Sequence, residues 1–415
     1  MARFPLSFVA IVAIPALLLA QSGRKPGARK LLVISVAGLD ARFLTEPATR
    51  VKIPNIRKLM RQGTAASGVI GVAPSDTWAS GISLVTGVLP TEEGTPLWQA
   101  ASIIGLRTAA VYWPGTAGAD IVFDFPAPPP AARESQRGDN IPFDEVAQKA
   151  SPPGIVDRIE NASPGFRTEL WDDTSAARAA AYLLRVEKPD LLLVQLTDVD
   201  SEQRETRALS VYAREALEND DDLIGQILAA VPPGTVVALV SGHGFENENY
   251  IVRPRVLLKA PVDVADGLIG TADRAVAERL RTLMNDGRRH GIAREVPMAE
   301  VKARVPDPAR PAISNPAISN PAISKWVAAF DTLPNYVARA EDRGPALGPG
   351  THLGVSGLWP TRPGYRSAFV ISGEGVAARK LGEIDLLQIA PTLADALGFE
   401  LPQAKKKSLW PSVSR

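Results

Sequence analysis

Residues 30–36 read Lys-Leu-Leu-Val-Ile-Ser-Val, and this run decides the class of fold. It is apolar over almost its whole length and rich in β-branched side chains, which pack well on a pleated surface. A strand with one face in water would alternate apolar and polar residues, and this run does not. It therefore predicts a strand that is buried on both faces, as in a parallel sheet covered by helices.

Predicted strands and helices alternate along the chain after this strand. Comparable strand patterns occur at 107–112, 190–196, 235–241 and 367–372. Helical spacing, capping residues or a terminal glycine mark helices at 54–62, 173–186, 212–228 and 385–397. The alternation predicts an α/β fold: a doubly wound, mostly parallel sheet flanked by helices and built with right-handed crossovers.

Composition limits the classes of protein that the chain can represent. Its 415 residues are 45% hydrophobic, enough for one large α/β core with an insertion, or for two domains. The formal net charge is +1 and no basic stripe is interleaved with aromatics, which argues against a nucleic acid polymer as partner. There is no cysteine, so thiolate nucleophiles, disulfides and cysteine-ligated zinc are excluded.

The N-terminus has the features of a secretory signal peptide. Met-Ala-Arg is followed by an apolar run from Phe4 to Ala20, and Ala20 is a suitable small residue at a cleavage site. The alternative is an uncleaved anchor, but Pro5 and Pro15 interrupt a run that is already short for a span of about 20 residues. We predict cleavage near Ala20 and a soluble mature protein, secreted or periplasmic, without a stable membrane anchor.

One long stretch breaks the alternation of strands and helices. Residues 253–347 are irregular and charged, and they contain a repeat of Pro-Ala-Ile-Ser-Asn at 311–315 and 316–320 that continues to Ser324. One proline in every five residues is incompatible with an α-helix, so we interpret the repeat as a surface loop. The predicted organisation places a signal peptide at 1–20, a discontinuous core at 28–252 and 348–402, a cap or insertion at 253–347, and a tail at 403–415.

Polar side chains follow several predicted strands. In doubly wound folds, ligands bind beyond the carboxyl ends of the strands, and side chains at these positions converge there. The polar residues that follow strands or adjoin them are Asp40, Asp76, Thr77, Asp198, Asp200, His243 and His352. Carboxylates, imidazoles and a hydroxyl at one edge suit metal-assisted phosphoryl transfer with a nucleophile at a helix N-terminus. An isolated Asp or His after a strand is also a common cap or surface group, and we expect His290 to be a surface residue.

Several blocks, taken in order, resemble one known family over about residues 29–400. They are Lys-Leu-Leu-Val-Ile-Ser-Val-Ala-Gly-Leu-Asp (30–40), Ile-Pro-Asn-Ile-Arg-Lys-Leu-Met-Arg-Gln-Gly-Thr (53–64), Ala-Pro-Ser-Asp-Thr-Trp-Ala-Ser-Gly-Ile-Ser-Leu-Val-Thr-Gly (73–87), Leu-Pro-Thr-Glu-Glu-Gly (89–94), Val-Tyr-Trp-Pro-Gly (111–115), Thr-Asp-Val-Asp (197–200), Ser-Gly-His-Gly (241–244) and Gly-Thr-His-Leu-Gly (350–354). Together they resemble the type I phosphodiesterase/nucleotide pyrophosphatase family of the alkaline phosphatase superfamily. The resemblance implies an alkaline-phosphatase-like α/β fold with a cap.

The same resemblance implies a chemistry and a set of site residues. The family uses two zinc-like metals that bridge a phosphate, and a threonine that forms a covalent phosphoryl or nucleotidyl intermediate. Carried over by position, Thr77 is the nucleophile, Asp200 and His352 belong to one metal, and His243 belongs to the other. Trp78, beside the nucleophile, is a candidate for stacking on a base or sugar, whereas we expect Trp98 and Trp113 to be packing residues.

The sequence departs from the family pattern at four positions. Three family metal ligands fall on Ala37, Arg204 and Gly242, and the phosphate-contacting asparagine falls on Ser80. Thus three of the six protein ligands other than Thr77 are replaced. A catalytic zinc site generally needs three protein ligands and an open position, and neither family site keeps three.

Three compensations are open. Asp40, Asp76 or Asp198 could act as a substitute ligand. Alternatively, Asp200, His243 and His352 could hold a single zinc or other divalent metal, as in two-His-one-carboxylate sites. Arg204 could instead supply fixed positive charge and, with Ser80, grip a phosphate, although a solvated loop arginine is an equally open interpretation.

Two functional hypotheses follow from these residues. The first is an exported phosphoesterase that is weakened by its reduced metal set, with zero to two ions and one as the central expectation. The second is a pseudoenzyme that binds a small phosphoester, another anionic ligand or a protein partner. A sulfatase is set aside because no cysteine, and no serine in a suitable motif, is present. A Ser-His-Asp hydrolase is set aside because the chain lacks a Gly-x-Ser-x-Gly elbow.

Overall fold

The structure, a computed structural model, describes residues 29–90, 92–127, 148–305 and 321–414. The predicted signal peptide and the first two repeat units lie outside the described residues. Within the described ranges, none of the helices combines the length and the apolar character that a membrane-spanning segment needs.

An eight-stranded sheet forms the centre of the molecule. Its strands, in spatial order, are β17 (Arg379–Asp385), β2 (Thr64–Ile70), β16 (Phe369–Gly373), β6 (Thr235–Val240), β1 (Lys30–Val36), β5 (Leu191–Leu196), β3 (Thr108–Val111) and β4 (Phe123–Phe125). The apolar strand at residues 30–36, β1, is central in the sheet and lies parallel to both β5 and β6. The prediction of an α/β fold with a large, mostly parallel sheet is confirmed.

Helices pack against this sheet, and those between residues 254 and 304 belong to the predicted cap. The helices are α1 (Ala41–Thr45), α2 (Pro54–Gln62), α3 (Thr77–Thr86), α4 (Leu97–Ile103), α5 (Ile155–Ala162), α6 (Asp173–Tyr182), α7 (Asp198–Thr206), α8 (Val211–Leu228), α9 (Pro254–Leu258), α10 (Arg274–Met284), α11 (Gly287–His290), α12 (Met298–Arg304), α13 (Ile389–Leu397) and α14 (Trp410–Val413). Short 3₁₀ turns occur at Pro47–Thr49, Phe166–Glu169, Pro321–Lys325 and Leu386–Gln388, and a π-helical turn, Leu183–Glu187, extends α6.

The burial of β1 explains its continuous apolar sequence. Leu32, Ile34 and Val36 face one hydrophobic core, while Leu31 and Val33 face a second core on the other side of the sheet. All five side chains are at most 2% exposed. The two cores are the layers that helices bury against opposite faces of a doubly wound sheet.

The sequence missed or misjudged some elements at the sheet edge. β2 was not predicted because Ala, Ser and Gly dominate it, and β17 was not predicted because its charged residues lie exposed on an edge strand. The strand predicted at 367–372 is present as β16, but it runs antiparallel to both β6 and β2. The cap of α6 is Asp172, whose side chain accepts a hydrogen bond from the Ser175 N–H, rather than the predicted 173–175 segment.

A smaller four-stranded sheet lies entirely within the predicted cap. Its order is β11 (Ile292–Val296), β12 (Ala328–Thr332), β10 (Leu268–Thr271) and β9 (Asp263–Ala265). Three further strands pair where the cap leaves and rejoins the core, and they are β8 (Tyr250–Val252), β13 (Tyr336–Ala338) and β14 (Leu347–Pro349). The two-stranded sheet is made of β7 (Glu246–Asn247) and β15 (Gly354–Val355). The domain boundaries themselves remain a prediction.

Two features of the cap were predicted only in outline. The third repeat unit forms a 3₁₀ turn, Pro321–Lys325, in which Ile323 is buried under the small sheet while Ser324 and Lys325 are exposed. His290 ends the short helix α11 and is half-buried. Within the predicted tail, Val413 is fully buried and packs against the core.

Asp124 provides a test of how ionisation affects this fold. It lies in β4 and is 3% exposed. Burial raises its pKa from 3.8 to about 7, although a hydrogen bond with Thr116 acts to lower the pKa. The stability that the protonated carboxyl supports is complete below pH 3.8 and is lost as the pH rises to about 7.

We therefore expect Asp124→Asn to be more stable than the parent at pH 8, by up to about 4 kcal/mol, with a smaller difference at pH 4. Denaturant unfolding at the two pH values measures this difference. The exposed Asp120→Asn is the matched control and should change stability equally at both. A gain for Asp124→Asn that does not grow with pH would contradict the prediction.

Candidate functional site

Thr77 stands at the start of α3. The side chain of Asp76 caps this helix by accepting a hydrogen bond from the Ala79 N–H at 2.8 Å. The first N–H groups of a helix have no partners within it, and together with the helix dipole they favour an anion. The Thr77 hydroxyl therefore lies where a phosphate group can be held.

His243 follows β6 and contacts Thr77 directly. Its Nε2 is 3.1 Å from Thr77 Oγ1, and its Nδ1 is 3.1 Å from the Gly244 carbonyl oxygen. A carbonyl only accepts, so Nδ1 carries the proton and Nε2 is left to accept from the threonine hydroxyl. Burial, reinforced by the charge of Arg204 and opposed by Asp200, lowers the pKa of His243 below 6.5. The imidazole is accordingly neutral at neutral pH.

Asp200 approaches this pair from the end of β5, which β1 separates from β6. It lies in the first turn of α7, just after β5, and its Oδ1 is 3.4 Å from His243 Nε2. Thr77 and Asp200 thus approach the same imidazole nitrogen. This differs from a Ser-His-Asp triad, in which the carboxylate binds the nitrogen opposite the nucleophile.

Arg204 lies one helical turn beyond Asp200 and forms a bidentate ion pair with it. Arg204 Nε is 2.8 Å from Asp200 Oδ2, and Nη2 is 3.3 Å from Oδ1. Nη2 also donates to Ser356 Oγ at 2.6 Å, and the guanidinium lies 5.4 Å from the centre of the Phe245 ring. Arg204 lies in helix α7 and not in a loop, and its side chain is 45% exposed while these contacts hold it. Both Asp200 oxygens face a cation already.

His352 lies on the cap side of the site. Its side chain is 61% exposed, and its Nδ1 is 3.4 Å from Glu248 Oε1 and 3.2 Å from Arg339 Nη2. Glu248 is buried and accepts hydrogen bonds from the N–H groups of Thr351 and His352 at 2.8 and 3.0 Å. Burial alone would raise the pKa of Glu248, but these donors and Arg339 outweigh it and lower the pKa. Glu248 therefore fixes the loop that carries His352.

Two of the candidate metal ligands lie close enough together to share an ion. Asp200 Oδ1 and His243 Nε2, 3.4 Å apart, are at the separation of two ligands at a tetrahedral zinc with bonds of about 2.0–2.1 Å. Within the described part of the chain, however, the ligand atoms of Asp200, His243 and His352 do not all lie within 4.8 Å of one another. A single ion held by this trio would need His352 to approach and Arg204 to share Asp200.

Two replaced ligand positions are sealed by packing. Ala37 is buried at the end of β1. A Cβ on Gly242 would lie 2.3 Å from Ser80 Cβ, so α3 packs too closely against this loop for any side chain at 242. Ser80 is buried, and its hydroxyl has no hydrogen-bond partner among the described residues.

The three substitute ligands suggested by sequence have other partners or positions. Asp40 is buried, and its oxygens accept from Arg42 Nε at 2.8 Å, Arg42 Nη2 at 2.9 Å and the Phe245 N–H at 3.2 Å. Asp76 caps α3. Asp198 belongs to a different group of carboxylates, formed with Asp173 and Asp220. The use of one of these carboxylates as a substitute metal ligand therefore stays a prediction that no contact supports.

A pocket of about 360 Å³ extends from Arg204 toward the cap. Its polar lining includes Arg204, Arg339, His352 and Asp266. Asp266 lies in the turn between β9 and β10, where burial and the nearby Asp76 charge raise its pKa to about 7. Glu248, Arg339 and Asp266 were not predicted from the sequence. Arg339 bonds to Glu248 from 91 residues away, and no local sequence pattern indicates that contact.

Trp98 and Trp113 are buried, as expected for packing residues, whereas Trp78 is half-buried. Trp98 is 5% exposed and Trp113 is fully buried, with Trp113 Nε1 donating to the Gly81 carbonyl at 3.2 Å. Trp78 is half-buried beside Thr77, and its buried Nε1 has no partner among the described residues. A stacking role for Trp78 remains a prediction.

A mostly parallel sheet with a threonine at a helix start beside its carboxyl edge defines an alkaline-phosphatase-like α/β protein. The model of the type I phosphodiesterase/nucleotide pyrophosphatase family matches residues 31–95 and 92–307. The chain belongs to that family, whose chemistry normally depends on divalent metals. No curated protein matches the sequence.

Solved structures share the fold at low sequence identity. Murine ectonucleotide pyrophosphatase/phosphodiesterase 5, in an inactive form in complex with AMP, aligns with a TM-score of 0.59 at 14% identity, covering 93% of this chain and 100% of that one. Another structure of the murine protein gives 0.58 at 15% identity, with the same coverage. The human protein gives 0.57 at 15% identity, covering 92% of this chain and 98% of that one. These alignments show the fold.

The contact between Gly242 and Ser80 can be tested by stability. We expect Gly242→Ala to lower the free energy of unfolding by about 1–3 kcal/mol, because the added methyl overpacks the contact with α3. Introducing Ser80→Gly as well removes the clashing carbon and should recover part of this loss, a coupling that a double-mutant cycle of denaturant unfolding measures. Gly382→Ala, which meets nothing within 4 Å, is the neutral control. Additive effects at 80 and 242 would show that the close approach is absent.

Proposed function

We propose that this protein is an exported phosphoesterase that hydrolyses a small phosphoester slowly, through Thr77 and at most one divalent metal. The observation that carries the proposal is the 3.1 Å contact between Thr77 Oγ1 and a buried, neutral His243 Nε2. A hydroxyl at a helix start with an adjacent base is the arrangement that an activated nucleophile needs. The family of the chain supplies the class of reaction.

The chemistry runs in two steps. In the first, Thr77 Oγ1 bonds to phosphorus, the bond to the leaving alcohol oxygen breaks, and the hydroxyl proton passes through His243 to that oxygen. In the second, water attacks the phosphothreonine, which releases the phosphate product and restores the hydroxyl. His243 accepts and returns the proton, and the N–H groups at the start of α3 bind the phosphoryl oxygens.

A divalent metal held by Asp200 and His243 Nε2, with His352 completing the set, would polarise the phosphoryl group and lower the pKa of the hydroxyl. Such an ion would replace His243 in activating the hydroxyl, because Nε2 cannot bind a metal and accept a proton together. The bidentate pair between Asp200 and Arg204 competes with such an ion, because the guanidinium already occupies both carboxylate oxygens. With three family ligands replaced as well, we expect weak turnover. Neutral His243 alone is a modest base for a threonine hydroxyl.

One observation favours the second candidate, a pseudoenzyme that binds a phosphoester without turnover. Arg204, Arg339 and His352 all line the 360 Å³ pocket. Arg204 stands where the family resemblance places a metal-binding histidine. Fixed guanidinium groups can take over the binding of phosphate from a metal, but they cannot ionise the hydroxyl as a metal does.

The first ligand to test is a nucleoside monophosphate. Murine ectonucleotide pyrophosphatase/phosphodiesterase 5 has been solved in complex with AMP, and it shares the fold of this chain. Trp78 beside Thr77 offers a surface on which a base could stack, and Ser80 lies one helical turn from the nucleophile. Export to the periplasm or the exterior follows from the N-terminal sequence and is part of the proposal.

Removing the nucleophile tests the enzymatic hypothesis. We expect Thr77→Ala to reduce hydrolysis of an aryl phosphodiester with added zinc or manganese to the rate of the buffer blank, while Thr77→Ser retains part of it. The hydroxyl is the only group in the site that forms the covalent intermediate, so the serine variant controls for folding. Turnover that is unchanged in Thr77→Ala would end the proposal of catalysis through Thr77.

Substitution of Arg204 separates the two candidate functions. One predicts a gain in zinc content and hydrolysis, and the other predicts a loss of AMP affinity. If the site is a hydrolase, Arg204→His frees Asp200 and supplies an imidazole, so zinc bound per chain and hydrolysis both increase. If it is a binding protein, Arg204→His and Arg204→Ala weaken AMP binding by roughly 10- to 100-fold, because a charge-assisted contact with the phosphate is lost. Elemental analysis and calorimetry measure the two outcomes. Arg207→Ala, an exposed arginine bonded to Asn249, is the control.

A further inference from the structure

Three carboxylates from three different helices lie close together. Asp173 lies in the first turn of α6, Asp198 in the first turn of α7, and Asp220 in the middle of α8. Oxygen atoms from all three lie within 4.8 Å of one another. Three separate helices therefore contribute one acidic group each to a single point.

Asp220 gives this cluster its significance. It is 0% exposed, and no hydrogen-bond donor among the described residues reaches either of its carboxylate oxygens. Buried polar groups are almost always paired, and a buried carboxylate without a donor is among the most costly exceptions. An oxygen of Asp220 lies within 4.8 Å of an oxygen of Asp173 and an oxygen of Asp198.

Asp173 is buried too, but its backbone partners are identified. Its oxygens accept from the N–H of Thr197 at 2.8 and 2.9 Å and from the N–H of Asp198 at 2.9 Å. These bonds tie the first turn of α6 to the first turn of α7. Burial raises the pKa of both Asp173 and Asp220, and the charge of Asp173 adds to the effect on Asp220. Two carboxyl groups buried this close together need a proton or a cation between them.

We propose that Asp173, Asp198 and Asp220 bind one hard divalent cation, with calcium as the best match. The ligand set consists of oxygen atoms, without the nitrogen or sulfur donors that zinc prefers. Calcium accepts 6–8 oxygens at about 2.3–2.6 Å in irregular geometry, and ligand oxygens around it are separated by distances of the kind found here. Asp198 is exposed, so the ion can enter from solvent and keep bound water on that side.

The cation would act on the structure and not on the substrate. It would bind α6, α7 and α8 together at the point where α7 begins, and α7 carries Asp200 two residues further on. Loss of the ion would therefore loosen the base of the helix that presents Asp200 and Arg204. This inference does not depend on whether the protein hydrolyses a phosphoester.

The alternative is a proton in place of the cation. A carboxylic acid at Asp220 could donate to Asp173, and the two would share one proton without binding any metal. An asparagine at 220 would then replace the acid with little loss. The two explanations differ in whether calcium alone stabilises the protein.

The test uses the full chain, freed of metal with a chelator, and calcium chloride as the only added ligand. We expect one calcium per chain by calorimetry at pH 7.5 and a rise in Tm of about 3–5 °C at a hundredfold excess over Kd. Asp220→Asn and Asp198→Asn should weaken calcium binding by at least about tenfold. Asp198 is exposed, so that variant keeps the test valid if Asp220→Asn does not fold.

Two controls locate the effect. Asp222→Asn removes an exposed carboxylate from the same helix and should leave calcium binding unchanged. His243→Ala removes the imidazole beside Thr77 and should also leave it unchanged. Absence of calcium binding to the parent chain at millimolar concentration would overturn the proposal in favour of a shared proton. Equal binding by the parent and both Asp198→Asn and Asp220→Asn would overturn it in favour of another site.

Discussion

The position of β1 between β5 and β6 is the constraint on which the site depends. All three strands are parallel and in register, so that Ser35 lies opposite both Gln195 and Val240. Their carboxyl ends therefore meet at one edge, and the residues that follow, Asp200 after β5 and His243 after β6, are brought together although the chain separates them widely. Burial of β1 on both faces prevents a register slip, because a shift of one residue would exchange the contents of two cores.

The charge balance at this edge differs from that of a two-metal centre. In the family, carboxylates and histidines surround metal cations. Here Arg204 pairs with Asp200, Arg42 pairs with Asp40, and Gly242 leaves room only for the close approach of Ser80. Guanidinium groups thus neutralise two of the carboxylates at this edge. The contact between Thr77 and His243 survives beside them, which is why weak catalysis and pure binding are both chemically coherent.

The buried carboxylates of the core are held in contrasting ways. Asp40 and Glu248 each receive an arginine and backbone N–H groups, and these donors satisfy them. Asp220 has no such partner among the described residues, and the two carboxylates nearest to it carry the same charge. Only a cation or a proton can reconcile that cluster with its burial, since desolvation opposes any isolated negative charge.

The sequence by itself determined the α/β class, the central strands and several of the helices, because burial on both faces and helical periodicity are local patterns. The family followed from the resemblance of its motif blocks. The sequence also singled out Thr77, Asp200 and His243, since each follows or adjoins a recognisable element. Only the tertiary structure decided that Arg204 occupies both oxygens of Asp200, that Ser80 excludes a side chain at 242, and that Asp173, Asp198 and Asp220 converge. These facts depend on distances between side chains on different elements, and such distances are set by how helices and strands pack in three dimensions.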